Sequence, residues 1–197
     1  MRISVMLILI SALMLASGAE GEGLEKLGIT RKNGLFFLLC ALALGSFSVS
    51  VTYEAEVSPA CLSIAVWLFG FSFTGKSRAR ALLSLPVSLI IGIITSPLLA
   101  IDGEWTAYLC GVCAVPSLLF GPFCGISTAA LAPAWAELCR YSYVTAGGGF
   151  AVLELTEKAI SAQLAGVLIS ISVHLLLTKR LSYVRTKRLV RPYEAFD

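Results

Sequence analysis

Three carboxylates, Glu137, Glu154 and Glu157, stand in or beside long apolar stretches, and His174 is the only histidine of the chain. Arg140 follows Glu137 at i+3, so on a helix the two share a face and can pair. Glu137 therefore reads as half of an ion pair at the end of a membrane span, or as a carboxylate lining a polar cavity. Glu154 and Lys158 have the favoured i,i+4 order. Glu154 and Glu157 read as wet interfacial groups early in the last apolar run. If either faces inward, an ionisable group at membrane depth is a functional position by default. Two carboxylates can share general acid and base work, and Glu137 with Glu154 is the only pair that would suit an intramembrane hydrolase. His174 lies close to the cationic tail and reads as a hydrogen-bonding or interfacial group rather than a proton relay.

Six cysteines, Cys40, Cys61, Cys110, Cys113, Cys124 and Cys139, lie within or at the ends of apolar runs. They read as small apolar side chains packed between helices. Cys110 and Cys113 have C-x-x-C spacing, but no second pair or nearby histidine completes a metal or redox site. The sequence contains no phosphate-binding G-x-x-x-x-G-K loop, H-E-x-x-H, G-x-S-x-G or dinucleotide fingerprint. No catalytic residues, metal or cofactor are assigned.

The elements that must position these groups are apolar. Hydrophobic residues make up 57% of the chain and charged residues 14%. A soluble domain carries about a quarter charged residues, so the bilayer is the expected solvent. The runs cover residues 3–19, 35–52, 60–73, 81–101, 106–138 and 150–178. The fifth is too long for one helix at about 20 residues per crossing, and Pro116, Gly121, Pro122, Gly125 and Pro133 interrupt it. Two short spans meeting at Gly121-Pro122 are predicted there. The chain is thus expected to be all-α, a polytopic bundle of about seven spans over residues 1–178 with a basic tail over 179–197. Ser17-Gly18-Ala19 resembles a signal-peptidase site, and cleavage there would leave six spans. It would also leave Lys26, Arg31 and Lys32 outside, against the positive-inside rule, so the first run is kept as a span.

The same rule places the Lys76–Arg80 loop and the tail in the cytoplasm, and Glu54, Glu56, Asp102 and Glu104 outside. The predicted location is the cytoplasmic (inner) membrane, multi-pass, with the C-terminus inside. The tail carries Lys179, Arg180, Arg185, Lys187, Arg188 and Arg191. Its expected partner is the anionic inner leaflet, at roughly 1 kcal/mol per cation, and not nucleic acid.

Small residues recur at four-residue spacing at Gly121 and Gly125, Ala130 and Ala134, and Gly166 and Ser170. Such faces let helix backbones approach closely. They serve packing within the chain, a homo-oligomer seam or a membrane-protein partner. The breaks at Pro116, Gly121, Pro122, Gly125, Pro133 and Gly147-Gly148-Gly149 carry a second meaning. Helix breaks at membrane depth are tolerated where protein or a water-filled cavity covers the freed backbone groups, and transporters use them to hold solutes.

Glu25-Lys26-Leu27-Gly28-Ile29-Thr30, Leu44-Gly45-Ser46-Phe47 and Ala146-Gly147-Gly148-Gly149-Phe150 occur in that order. This succession resembles an uncharacterised prokaryotic multi-spanning membrane-protein family, a domain of unknown function with an "EKLG…LGS…GGAGTFDG" pattern. The family's Asn-Ile-Pro is replaced here by Ser48-Val49-Ser50, and its aspartates would fall near Gly121 and Ala151, where no acid stands. The resemblance implies a membrane bundle and no activity. The functional expectation is a non-enzymatic, permease-like or solute-handling membrane subunit. The alternative is a membrane scaffold or assembly protein acting through its small-residue faces and basic tail.

Overall fold

The computed structural model describes residues 8, 9, 11, 30–45, 47–74, 78–101 and 114–190. Helix α1 (Arg31–Leu44) starts at Thr30, whose hydroxyl accepts from the Asn33 amide, and ends at Gly45. A hairpin of β1 (Val49–Thr52) and β2 (Ala55–Val57) follows, with Val49 opposite Val57 and Ser50 opposite Glu56. Helix α2 (Pro59–Thr74) and helix α3 (Arg78–Ile101) come next. A short helical segment, α4, covers residues 114–120. Gly121 then breaks the chain, and α5 (Pro122–Ala146), β3 (Leu153–Leu155) and α6 (Glu157–Val190) complete it.

The described residues do not support the expected bundle of about seven spans. Two described helices are long and apolar enough to cross a membrane, over Arg78–Pro97 and Glu157–Leu177. The prediction counted apolar runs, whereas a crossing needs about 30 Å of continuous helix. Helix α1 has 14 residues and α2 has 16, which is about 21 and 24 Å at the helical rise. The second run leaves the helix at Gly45 and becomes a strand at Val49. The fold is also not purely helical, because a three-stranded sheet sits at one end. The first run contributes only Ile8, Leu9 and Ser11 to the described residues, so its fate as span or leader lies outside them.

The sheet sets the direction of two helices. Strands β2 and β3 are parallel, with Glu56 beside Glu154 and Val57 beside Leu155. The Leu153 amide donates to Glu54 O and the Ser58 amide to Leu155 O, both at 2.8 Å. Each strand runs directly into a helix, so α2 and α6 leave the sheet side by side in the same direction. Their shared core includes Ile64, Leu68, Ile126, Ala130, Ala159, Ile160 and Leu164. Phe37 of α1 stacks on Trp67 of α2 with ring centroids 3.9 Å apart.

Helices α3 and α5 touch at two heights. A Cβ on Gly92 would lie 2.7 Å from Trp135 Cβ and 2.9 Å from Ala136 N, and one on Gly121 would lie 3.3 Å from Arg80 Nη1. Both contacts are nearly in register from the two helix starts, so α3 and α5 run parallel. The polarity of α3 is inverted relative to a soluble helix. Ser84, Ser88, Thr95 and Ser96 are buried, while Leu82, Leu83, Leu85, Leu89, Ile90, Ile93 and Ile94 are 37–62% exposed. The hydroxyls can afford burial because each returns a hydrogen bond to its own helix, for example Thr95 Oγ1 to Ile91 O at 2.8 Å. An exposed apolar face of this kind marks a contact surface for protein, membrane or ligand.

Gly92→Ala is expected to destabilise the fold by about 1–3 kcal/mol, because the methyl group meets backbone as well as side chain. Gly70→Ala, where nothing lies within 4 Å, is expected to be neutral or mildly stabilising. Thermal unfolding of the two variants in the same detergent checks the contrast.

Candidate functional site

The Glu137–Arg140 pair forms as its spacing predicts, at the sheet end of α5. Arg140 Nε donates to both carboxylate oxygens, at 3.1 and 3.0 Å, and Nη2 donates to Oε1 at 2.6 Å. Glu137 is 4% exposed. Such a buried carboxylate needs all its partners, and two more bonds complete the set. The Glu154 amide donates to Glu137 Oε1 at 3.1 Å, and Arg140 Nη2 donates to Val152 O at 2.6 Å. The pair thus clamps β3 to α5. Hydrogen bonding to Glu137 raises the Arg140 pKa, and the Glu137 and Glu154 charges add to this against partial burial.

The other predicted acids are placed differently. Glu154 lies exposed on β3, ahead of the helix, so the expected helical pairing with Lys158 does not exist. Its backbone amide, not its carboxylate, meets Glu137. Glu157 opens α6 and lines a cleft of about 250 Å³ with Gly45, Phe47, Glu56, Ser58 and Thr156. Tyr141 donates its hydroxyl to Glu54 Oε2 at 2.7 Å, and this bond, with minor help from desolvation and the carboxylate charge, raises the tyrosine pKa.

The predicted break is at Gly121, which adopts φ 95, with Pro122 as the first residue of α5. Glycine is needed for that backbone conformation, and proline suits a helix start. The turn is tightly filled: a Cβ on Gly125 would lie 2.6 Å from Ser117 Cβ, and Pro116 and Pro122 are buried. Gly121 and Gly125 therefore serve close approach within the chain. Ala130, Gly166 and Ser170 are buried, and Ala134 packs partly buried against the core. Lys179, Arg180, Arg185, Lys187 and Arg188 belong to the backbone of α6, but their side chains lie outside the described residues. Arg191, Asp102, Glu104, Cys110 and Cys113 also lie outside them. Cys40, Cys61, Cys124 and Cys139 are free thiols. Among the described residues no three His, Cys, Asp or Glu side chains are grouped to hold a metal.

The group that sequence reasoning missed is Gln163. It is the chain's only glutamine, it stands where α2, α5 and α6 meet, and it is fully buried. Its Nε2 donates to Ala130 O at 2.8 Å and to Cys61 O at 3.2 Å, joining the three helices. Among the described residues its Oε1 has no partner, and neither do the buried hydroxyls of Ser127, Ser170 and Ser72. Ser127 lies about one turn along α5 from Ala130, and Ser170 about two turns along α6 from Gln163. Ser117 Oγ donates to Ser170 O at 3.0 Å, closing that level of the interior. A buried acceptor without a partner costs about 1–3 kcal/mol. The four lie on three packed helices, α2, α5 and α6, and form a seam of buried polar groups that ordinarily find a partner. A lone amide within an apolar run was the signal available in the sequence.

No known protein family matches the chain, and neither a curated protein nor a solved structure matches it.

Removing Glu137 or Arg140 singly leaves the other group uncompensated. Glu137→Ala and Arg140→Ala are each expected to destabilise by about 3 kcal/mol, and the double variant by less than their sum. Chemical unfolding of the four proteins measures the coupling, and faster hydrogen exchange at the Glu154 amide locates it. For Tyr141, a raised folded pKa means that the Glu54 bond contributes stability below the unfolded tyrosine pKa, which is lost as pH rises through the folded one. Ultraviolet titration should show one tyrosine ionising late in the native protein, and Glu54→Gln should restore it to the ordinary range.

Proposed function

We propose that this protein is a membrane-associated helical subunit that handles a small, neutral, polar solute along the Gln163 seam. The observation that carries the reading is the set of unpartnered polar atoms at Gln163, Ser127, Ser170 and Ser72. Their combined desolvation is a sizeable part of a stability of about 5–15 kcal/mol, so an occupant offering hydrogen-bond donors relieves a real penalty. Neutral chemistry fits because Glu137, the nearest buried charge on α5, already has its oxygens engaged by Arg140 and the Glu154 amide. Membrane association is supported by α3, whose exposed face is leucine and isoleucine while its hydroxyls are buried. The two long apolar helices, α3 and α6, suit that setting.

Charge is distributed accordingly. Glu54, Glu56 and Glu154 lie at the sheet end, whereas Arg78 and Arg80 begin α3 at the opposite end. The positive-inside rule would put the arginine end in the cytoplasm, and α6 runs toward that same end. The scaffold alternative has less support, because Gly125 is already engaged by Ser117 and Gly92 by Trp135.

Stopped-flow light scattering tests the reading on vesicles containing the full chain, with water, urea and glycerol as probes. Wild-type vesicles are expected to equilibrate with at least one probe faster than protein-free vesicles. Gln163→Leu is expected to lose that increment, and Ser127→Ala, which is nearly isosteric, to reduce it. Equal rates in wild-type, Gln163→Leu and protein-free vesicles would overturn solute handling.

A further inference from the structure

Two helix N-termini and the Arg80 guanidinium meet at one place in this fold. Helices α3 and α5 run parallel, so the positive ends of both macrodipoles face the same side. Neither helix has an acidic residue in its first turn, and no side chain caps α5 at Gly121. Arg78 and Arg80 nonetheless occupy the first turn of α3, where a cation is disfavoured by the dipole. Arg80 is exposed and its guanidinium lies against Gly121. No acidic side chain among the described residues pairs with it. The uncompensated positive potential opens into a cleft of about 430 Å³ lined by Ala79, Arg80, Leu83, Leu119, Phe120 and Gly121. Three of these, Leu83, Leu119 and Phe120, are large apolar side chains that stand exposed.

We propose that this cleft binds one anionic phospholipid. The phosphate sits at Arg80 and the mouth of α5, and the acyl chains lie along Leu83, Leu119 and Phe120. Charge complementarity selects an anion, because guanidinium and phosphate form strong charge-assisted hydrogen bonds and helix N-termini favour anions. The apolar wall selects a lipid over free phosphate, since a soluble anion would leave it bare. The position agrees, because Arg80 begins a helix long and apolar enough to cross a bilayer, and arginine at such an end places its charge at headgroup level. The inference rests on the membrane setting of α3 and not on the Gln163 seam, so failure of solute handling leaves it standing.

The experiment is a titration of the full chain, in neutral detergent, with dioctanoyl phosphatidylglycerol, followed by calorimetry and native mass spectrometry. Parallel titrations use dioctanoyl phosphatidylcholine and inorganic phosphate. One saturable phosphatidylglycerol site is expected, with little binding of either control. Arg80→Gln should weaken it about tenfold or more, the loss of one strong charge-assisted contact. Leu119→Ser should weaken lipid binding through the wall alone, and both positions are exposed enough for the fold to survive. Neutralising Lys179, Arg180 and Arg185 together should leave the site intact. Unchanged affinity in Arg80→Gln, loss confined to the tail variant, or phosphate binding as tightly as the lipid would each overturn the proposal.

Discussion

The bidentate pair of Glu137 and Arg140 holds the one piece of extended backbone on which the helix arrangement depends. Strand β3 has three residues, too few to persist by itself. It is fixed because Glu137 accepts from its Glu154 amide and Arg140 reaches the carbonyl of Val152. With β3 in place, β2 pairs in parallel beside it, and α2 and α6 emerge together. In that arrangement Gln163 reaches both Cys61 O on α2 and Ala130 O on α5. The local ion pair and the amide 26 positions further along the chain thus act on the same pair of helices, α5 and α6.

Packing and polarity are coupled through small residues. Gly92 and the serines of α3 permit close contact with Trp135 and Ala136, and the bulky aliphatic side chains are consequently directed outward. In water, such a helix would expose its most hydrophobic surface and bury its hydroxyls, the wrong sign for folding. Beside hydrocarbon the sign reverses: interior hydroxyls find carbonyls, and the aliphatic face loses nothing. The same parallel pairing concentrates positive potential at one end, while the acidic hairpin occupies the other.

The sequence revealed features governed by local chemistry. Gly121 followed by Pro122 announced a break, since one residue reaches positive φ and the other starts a helix. Glu137 and Arg140 announced their pairing by spacing alone. Features that depend on distant partners were hidden. The strand at Val49–Thr52 was absorbed into an apolar run, because hydropathy does not distinguish a strand from a helix, and the span count rose with it. Glu154 was assigned to a helix because its spacing to Lys158 suits one, yet pairing with β2 decides its conformation. Gln163 disappeared in the average of its neighbours, and its role exists only where three helices converge.

The parallel strand pair also constrains how the molecule can assemble. Glu56 and Glu154 stand about a hundred positions apart, so their alignment is a late, high-separation event. During translation the hairpin leaves the ribosome well before its neighbour exists and must wait with an open edge while α2, α3 and α5 are made. A ribosome stalled before Leu153 would leave that edge without its parallel neighbour.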